Sequence, residues 1–172
     1  MINALTSIEH PLQALADVMT IRERFGSLDG LRIGWVGDGT NVLVSLAALA
    51  KFVGMDVVAA CPPGYDPPSD NVSLVRDPRE AARGADVLVT DIWVSLGQEA
   101  ERAKRLRDLE PYRLDEALVS LASPSAIVLH CLPAHPGEEI SPGVLYGDHS
   151  AVWDEAENRL HTEKALLALL LG

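Results

Sequence analysis

Short apolar runs that alternate with helix-like segments restrict the fold of this 172-residue chain more than any other feature. The runs are apolar at consecutive positions and bounded by Gly, Pro or Asp, as is typical of parallel strands that are buried on both faces. The predicted strands are 31–36, 55–61, 72–75, 87–90, 126–130 and 151–153. The predicted helices are 11–25, 41–53, one that starts at the cap Asp77, 98–109, 114–122 and 159–171. This order predicts one α/β domain over 1–172, a doubly wound, Rossmann-like parallel sheet with helices on both faces, in three layers.

Composition excludes several classes of protein. A hydrophobic fraction of 48% and a charged fraction of 23% are those of a globular domain. The net charge of -11 argues against nucleic-acid binding, which needs clustered Lys and Arg. No apolar run is long enough to cross a membrane, and the start at 1–5 does not resemble a signal peptide. Cys61 and Cys131 are far apart and predict reduced thiols, so we expect a cytoplasmic protein.

Ligands of open parallel sheets bind beyond the carboxyl ends of the strands, which makes the loops 37–41, 91–97, 131–137 and 154–159 the candidate site. The Gly37-x-Gly39 pair could belong to a dinucleotide-binding turn, but Val42 stands where the third glycine is required. The glycines could also serve only to allow a tight turn. Asn41, at a helix start, could offer its amide to a polar ligand.

Two polar residues follow the strand 87–90. Asp91 ends an apolar run, so its carboxylate must be hydrated, paired or available to a cation such as a ligand amine. A simple helix-capping role is the alternative. Ser95 is not predicted to be a hydrolase nucleophile, because no Gly-x-Ser-x-Gly segment surrounds it.

His130 and Cys131 are adjacent at another strand end, which could indicate a nucleophilic pair or a metal site. Neighbours in a strand point to opposite faces, however, so Cys131 could equally be a small buried residue. No set of Cys and His with zinc spacing accompanies them. Arg159 could polarise a carbonyl oxygen, although an ion pair with Glu155 or Glu163 is the more common role of such an arginine.

Five segments, in this order, resemble the motifs of ornithine carbamoyltransferases, within the aspartate/ornithine carbamoyltransferase family. The segments are His10-Pro11-Leu12-Gln13, Gly37 to Asn41, Asp91 to Gly97, His130-Cys131-Leu132-Pro133 and Glu155 to Arg159. They span nearly the whole chain, and five matches in order are more specific than any single one. Leu96 stands where the family usually has Met and Pro136 where many members have Arg, and a helix that is usual between 68 and 72 is missing.

The resemblance implies transfer of a carbamoyl group from carbamoyl phosphate to the δ-amine of L-ornithine, giving citrulline and phosphate in arginine biosynthesis or urea-type metabolism, without metal or organic cofactor. It also implies which residues bind ornithine. Asn41, Asp91, Ser95 and the backbone of Leu96 would hold the α-amino and α-carboxylate groups. Asp91 and Cys131 would lie near the attacking amine.

For the carbamoyl group, the resemblance implies that His10 and Arg159 donate to its oxygen as charge develops there. Gln13 and the backbone carbonyls of Cys131 and Leu132 would orient its amino group. The catalytic residues expected on this basis are Cys131, Arg159, His10 and Asp91.

The family carries its Ser-Thr-Arg-Thr phosphate loop on a separate N-terminal domain, and that segment does not occur in these 172 residues. We therefore expect the chain alone to be inactive and to need a carbamoyl-phosphate domain and homo-oligomerisation, with trimers usual in the family. The apolar faces of 11–25 and 165–171 should be partly uncovered, favouring self-association. Three alternatives remain: a stand-alone amino-acid-binding or regulatory module, a putrescine or acetylornithine carbamoyltransferase, and a dehydrogenase-like nucleotide module.

Overall fold

Five parallel strands form the centre of the computed structural model, which describes residues 2–95 and 97–172. The strand order is β3-β2-β1-β4-β5, and every pair is parallel. The strands are β1 (Arg32–Val36), β2 (Asp56–Ala60), β3 (Ser73–Val75), β4 (Val87–Thr90) and β5 (Ile127–His130). The predicted doubly wound, Rossmann-like sheet is therefore confirmed.

Helices cover both faces of the sheet. They are α1 (Pro11–Phe25), α2 (Asn41–Phe52), α3 (Pro78–Ala82), α4 (Arg102–Leu109), α5 (Glu116–Val119), α6 (Pro142–Leu145) and α7 (Val152–Leu171). One apolar core lies between the sheet and the α1 and α2 side, around Trp35 and Leu46. A second core lies on the α3, α5 and α6 side, around Leu88 and Val128. Successive residues in the middle of the strands alternate between these cores, which explains why the strands are apolar at consecutive positions.

Local sequence signals set several helix boundaries. Pro11 opens α1, and Gly26 ends it with a left-handed backbone (φ 77°), so the predicted helix 11–25 is confirmed at both ends. Asp77 caps α3, because its side chain accepts a hydrogen bond from the N–H of Arg79. The predicted helix 114–122 is shorter than expected and reduced to α5, after the cap Asp115.

The predicted last strand, 151–153, is wrong. Only Ser150 forms an isolated bridge, with Val128, and α7 already begins at Val152. The buried face of α7 near its start consists of Val152, Glu155 and Asn158 at helical spacing. Two of these three residues are polar, so an apolar pattern could not show the first turns of the helix. The candidate loop 154–159 is thus part of a helix.

The outer face of α7 remains exposed. Leu160 is 67% exposed, and Leu167, Leu170 and Leu171 follow on the same side of the helix. The described helices include none that is both long and apolar enough to cross a membrane. The uncovered apolar surface expected at 165–171 is therefore present, whereas α1 packs against α2 and α7.

Candidate active site

The carboxyl ends of β1 and β4 border a crevice, because the chain leaves these neighbouring strands toward opposite sides of the sheet. Thr40 lies in the loop after β1, and Asp91 follows β4 directly. The Thr40 hydroxyl donates a hydrogen bond to Oδ2 of Asp91 across the crevice at 2.9 Å. Thr40 occupies the N-cap position of α2, yet its hydroxyl makes no capping bond. The Thr40 side chain therefore binds Asp91 in the crevice and does not cap the helix.

Asp91 is almost fully buried, with 6% of its surface exposed. Its Oδ1 accepts hydrogen bonds from the N–H of Ile92 at 2.7 Å and from the thiol of Cys131 at 3.1 Å. Burial, together with the nearby negative charge of Asp91, raises the pKa of Cys131 well above its usual value. Cys131 is therefore a protonated donor at neutral pH. In the part of the chain that the structure describes, no Lys, Arg or His side chain hydrogen-bonds to Asp91.

A second polar group lies where α1 packs against α7. Gln13 is 1% exposed, and its Nε2 donates to Oδ1 of Asp17 at 2.8 Å and to Oε1 of Glu155 at 2.7 Å. Its Oε1 accepts from Nη1 of Arg159 at 2.7 Å. The other donors of Arg159 reach Oε1 of Glu163 at 2.8 and 3.1 Å. Arg159 thus makes the ion pair with Glu163 that the sequence left open, and it also contacts Gln13.

The carboxyl groups of Asp17 and Glu155 lie within hydrogen-bonding reach of one another. Burial raises the pKa of Asp17 to about 6 and raises the pKa of Glu155 well above its usual value. Oε2 of Glu155 also accepts the N–H of His130 at 2.8 Å. Because His130 precedes Cys131, this contact ties the α1–α7 group to the loop that carries the thiol.

His10 stands between the two polar groups. Its backbone N–H donates to the hydroxyl of Ser45 on α2 at 2.7 Å. Burial and the adjacent positive charge of Arg159 lower the pKa of His10, while Asp91 opposes this effect. The imidazole is therefore neutral at pH 7. Its Nδ1 is buried and forms no hydrogen bond with any described group.

The remaining predicted binding residues line the crevice less directly. Asn41 is the first residue of α2, and its amide donates to the carbonyl of Thr6 at 2.7 Å. Ser95 donates its backbone N–H to the side chain of Gln98 at 2.9 Å, and no described hydrogen bond links its hydroxyl to Asp91. The predicted contact at Leu96 lies outside the described residues.

The loop after β5 is held by His130, whose ring points away from Cys131. Its Nδ1 accepts the N–H of Leu132 at 3.0 Å, and its Nε2 lies 3.2 Å from Oε1 of Glu139. Leu132 adopts a left-handed backbone (φ 52°), which is uncommon for a residue with a side chain. The idea of a nucleophilic pair of His130 and Cys131 is therefore wrong, and His130 shapes the loop.

Three side chains could approach a metal ion together. Ligand atoms of His135, Glu138 and Glu139 lie within 4.8 Å of one another. Two of the three are already engaged, because Glu138 pairs with Arg102 and Glu139 contacts His130. These contacts indicate a structural role for the cluster that does not require an ion.

A buried arginine fixes the loop that follows β4. Arg105 on α4 is 6% exposed, and it forms an ion pair with Asp38 of the loop after β1. Its Nε donates to the carbonyl of Trp93 at 2.5 Å, and its guanidinium lies over the ring of Tyr65. One side chain thus joins the two loops that meet at the crevice.

Comparison with known proteins identifies the family. Residues 29–170 match the Asp/Orn binding domain of aspartate/ornithine carbamoyltransferase. The chain belongs to this family. It is 52% identical to the ornithine carbamoyltransferase of Carboxydothermus hydrogenoformans over 99% of the chain and 60% of that relative. The chain thus spans about three fifths of the length of the curated relatives it matches.

Solved carbamoyltransferase structures share the fold. The ornithine carbamoyltransferase of Thermus thermophilus superposes with a TM-score of 0.91 at 47% identity, covering 99% of this chain and 58% of that one. The enzyme of Pyrococcus furiosus gives a TM-score of 0.90 at 44% identity, covering 96% of this chain and 57% of that one. The fold described above is therefore that of the Asp/Orn binding domain.

Several residues of this domain escaped the sequence analysis. Thr40 and Asp17 were not singled out, and Glu155 was considered only as an ion-pair partner of Arg159, although each contacts a predicted site residue. Asp17 could have been found, because it lies four residues after Gln13 and shares its helix face. Glu155 was hidden because its segment was predicted to follow a strand.

Proposed function

We propose that this chain is the ornithine-binding part of an ornithine carbamoyltransferase, which transfers a carbamoyl group from carbamoyl phosphate to the δ-amine of L-ornithine. A carbamoyl-phosphate-binding domain is the required partner, in a homo-oligomer. Sequence identities of 52% and 51% to two ornithine carbamoyltransferases support this proposal. The structural observation that carries it is that Asp91 is buried and has no cationic hydrogen-bond partner among the described residues.

Asp91 has the properties of an amine receptor. Its carboxylate is buried, and its described partners are a hydroxyl, an N–H and a thiol, none of which carries positive charge. A buried carboxylate without a cation is unfavourable and is complementary to an ammonium or amine group. Asn41, Ser95 and the backbone of Leu96 complete the proposed site for the amino-acid head of ornithine, with the Asn41 amide leaving Thr6.

The δ-amine of ornithine reacts only in its neutral form, and an alkyl ammonium has a solution pKa of about 10. Burial beside the protonated thiol of Cys131 favours the uncharged nucleophile, because desolvation disfavours a charged ammonium. The amine nitrogen then forms a bond to the carbamoyl carbon, the bond from that carbon to the phosphate oxygen breaks, and the amine proton leaves with the phosphate.

Negative charge develops on the carbamoyl oxygen during this step. In the proposal, Arg159 and the neutral imidazole of His10 donate to that oxygen, because both approach the crevice from the α1–α7 side. Oε1 of Gln13 accepts from the carbamoyl amino group, assisted by the backbone carbonyls of Cys131 and Leu132. The amide of Gln13 has its oxygen on the side of Arg159, which is the orientation this role needs.

Calorimetric titration of the chain with L-ornithine tests the substrate. We expect saturable binding that Asp91→Asn weakens about tenfold to a hundredfold, since a hydrogen bond to a charged group contributes about 1.5–3 kcal/mol. Asp148→Asn, at an exposed position near the other end of β5, is the matched control and should bind as the parent chain does. Equal affinity of the parent chain and Asp91→Asn would contradict the proposal.

Putrescine and N-acetylornithine distinguish the related transferases, because neither presents a free α-amino acid head. Citrulline formation is then measured after this chain is joined to the part of the Thermus thermophilus relative that lies outside the match. Turnover would support the transferase. Ornithine binding without turnover in that joined protein would favour an amino-acid-binding module instead.

A further inference from the structure

Two buried carboxyl groups, Asp17 and Glu155, lie behind the residues that we assign to the carbamoyl group. Both are 1% exposed, and they contact one another. Their described hydrogen-bond donors are all uncharged: the amide of Gln13, which reaches both, and the backbone N–H of His130. Two such carboxyl groups cannot both be ionised at low cost, because like charges in contact repel and neither is hydrated.

One carboxyl oxygen of the pair receives no hydrogen bond from any described group, and this indicates the position of a proton. Oδ1 of Asp17 and both oxygens of Glu155 accept N–H donors, whereas Oδ2 of Asp17 is buried and receives none. A single proton between Oδ2 of Asp17 and Glu155 satisfies that oxygen and leaves one negative charge on the pair. The charged groups that face the pair are Arg159 on α7 and Asp91 at the end of β4, of opposite sign.

The two carboxyl groups of Asp17 and Glu155 fix the orientation of the Gln13 amide. Both hydrogens of the Gln13 amide are used by the two carboxyl groups, so its oxygen must point away from them. That oxygen accepts from Arg159 and has a second lone pair. With the amide reversed, its oxygen would face two carboxyl groups and its N–H groups would face the guanidinium, and both contacts are unfavourable.

We propose that Asp17 and Glu155 are positioning residues for Gln13: a carboxyl pair that shares one proton and fixes the Gln13 amide with its oxygen toward the carbamoyl group. The role of that oxygen rests on the proposed function, whereas the protonation state of the pair does not. Neither carboxyl group touches a substrate. Their effect on the reaction passes through Gln13.

Infrared spectroscopy of this chain at pH 7 tests the shared proton. The band of a buried carboxylic acid should be present in the parent chain and lost in Asp17→Asn, because the asparagine N–H takes the place of the proton and leaves Glu155 ionised. Asp148→Asn, at an exposed position, should keep the band. A spectrum in which Asp17→Asn removes no such band would overturn the shared proton.

A double-mutant cycle in the joined, active protein tests the positioning. Asp17→Asn should keep kcat within about threefold, since it preserves the donor and acceptor pattern. Asp17→Ala should lower kcat at least tenfold while the KM for ornithine changes little. In a Gln13→Ala background, Asp17→Ala should have no further effect on kcat.

The outcomes separate the two proposals. An inactive parent protein that also fails to bind ornithine would contradict the proposed function and leave the infrared result standing. An active parent in which the effects of Asp17→Ala and Gln13→Ala are additive would retain the function and overturn the positioning role. Equal losses in Asp17→Asn and Asp17→Ala would overturn it as well.

Discussion

At the scale of single residues, burial sets the charge of the site. The thiol of Cys131 and the imidazole of His10 are both kept neutral, because each would lose hydration on ionising. The side chain of Asp91 lies in the same crevice and accepts three hydrogen bonds from uncharged groups. The crevice therefore offers one receptor for positive charge surrounded by uncharged donors.

The raised pKa of Cys131 predicts low thiol reactivity. Because the thiolate is the reactive form, we expect an aromatic disulfide reagent at pH 8 to modify the folded chain far more slowly than the chain unfolded in urea. Cys61 is also buried, and burial raises its pKa to about 12, so it should react slowly too. Rapid modification of either cysteine in the folded chain would contradict this interpretation.

The carboxyl pair predicts how stability depends on pH. The pKa of Asp17 in the folded chain is about 6, above its ordinary value of 3.8. A raised pKa means that the folded state holds the proton more tightly, so this stabilisation is full below pH 3.8 and is lost as the pH rises through 6. Relative to Asp17→Asn, the parent chain should therefore lose up to about 3 kcal/mol between these limits.

Urea unfolding at a series of pH values measures this difference. Asp148→Asn, at an exposed position, serves as the control and should follow the parent chain throughout. A constant difference between the parent chain and Asp17→Asn from pH 4 to pH 7 would contradict the raised pKa of Asp17.

At the scale of elements, α4 holds the crevice together from outside the sheet. Its buried Arg105 connects the loop after β1 to the loop after β4 through Asp38 and Trp93. The first loop leads into Asn41 at the start of α2, and the second carries Ser95; we assign both residues to the amino-acid head. A helix that contributes no substrate contact in this proposal thus sets the spacing of two loops that do.

Replacing Arg105 should lower the free energy of unfolding of the chain. Arg105→Met leaves Asp38 buried without its partner, and breaking a buried ion pair in this way costs about 3–5 kcal/mol. Arg107→Met on the same helix is the control, because that side chain is 75% exposed and its loss should cost about 0.5 kcal/mol or less. Urea unfolding measures the free energy of unfolding of both variants. A loss for Arg105→Met as small as that for Arg107→Met would show that Arg105 does not hold the two loops together.

The sequence predicted the elements better than the contacts between them. Apolar runs located β1 to β5, and proline and glycine set the ends of α1, because these signals are local. The start of α7 was missed because its buried face carries Glu155 and Asn158, whose burial depends on partners in α1. Polar contacts between segments far apart in the chain leave no periodic signal in either segment.

At the scale of the whole molecule, one side of α7 carries several large exposed apolar residues. Leu160, Leu167, Leu170 and Leu171 share that side. Contiguous exposed apolar surface favours association. The chain should therefore self-associate through this helix when it is studied alone.

Sedimentation velocity over a range of concentrations tests this surface. The triple variant Leu167→Gln, Leu170→Gln, Leu171→Gln should shift the chain toward monomer. Phe52→Gln is the control, since Phe52 is also exposed but lies at the end of α2. Association that persists unchanged in the triple variant would exclude this part of α7 as the contact.

The packing of α1 against α7 brings together residues from opposite ends of the chain, such as Gln13 and Arg159. During synthesis on the ribosome, the sheet and its first helices emerge long before the helix that carries Arg159. The crevice can therefore be complete only when α7 has emerged and docked. A premature stop codon between β5 and α7 would leave a truncated chain that has all five strands but lacks the α7 half of the polar site.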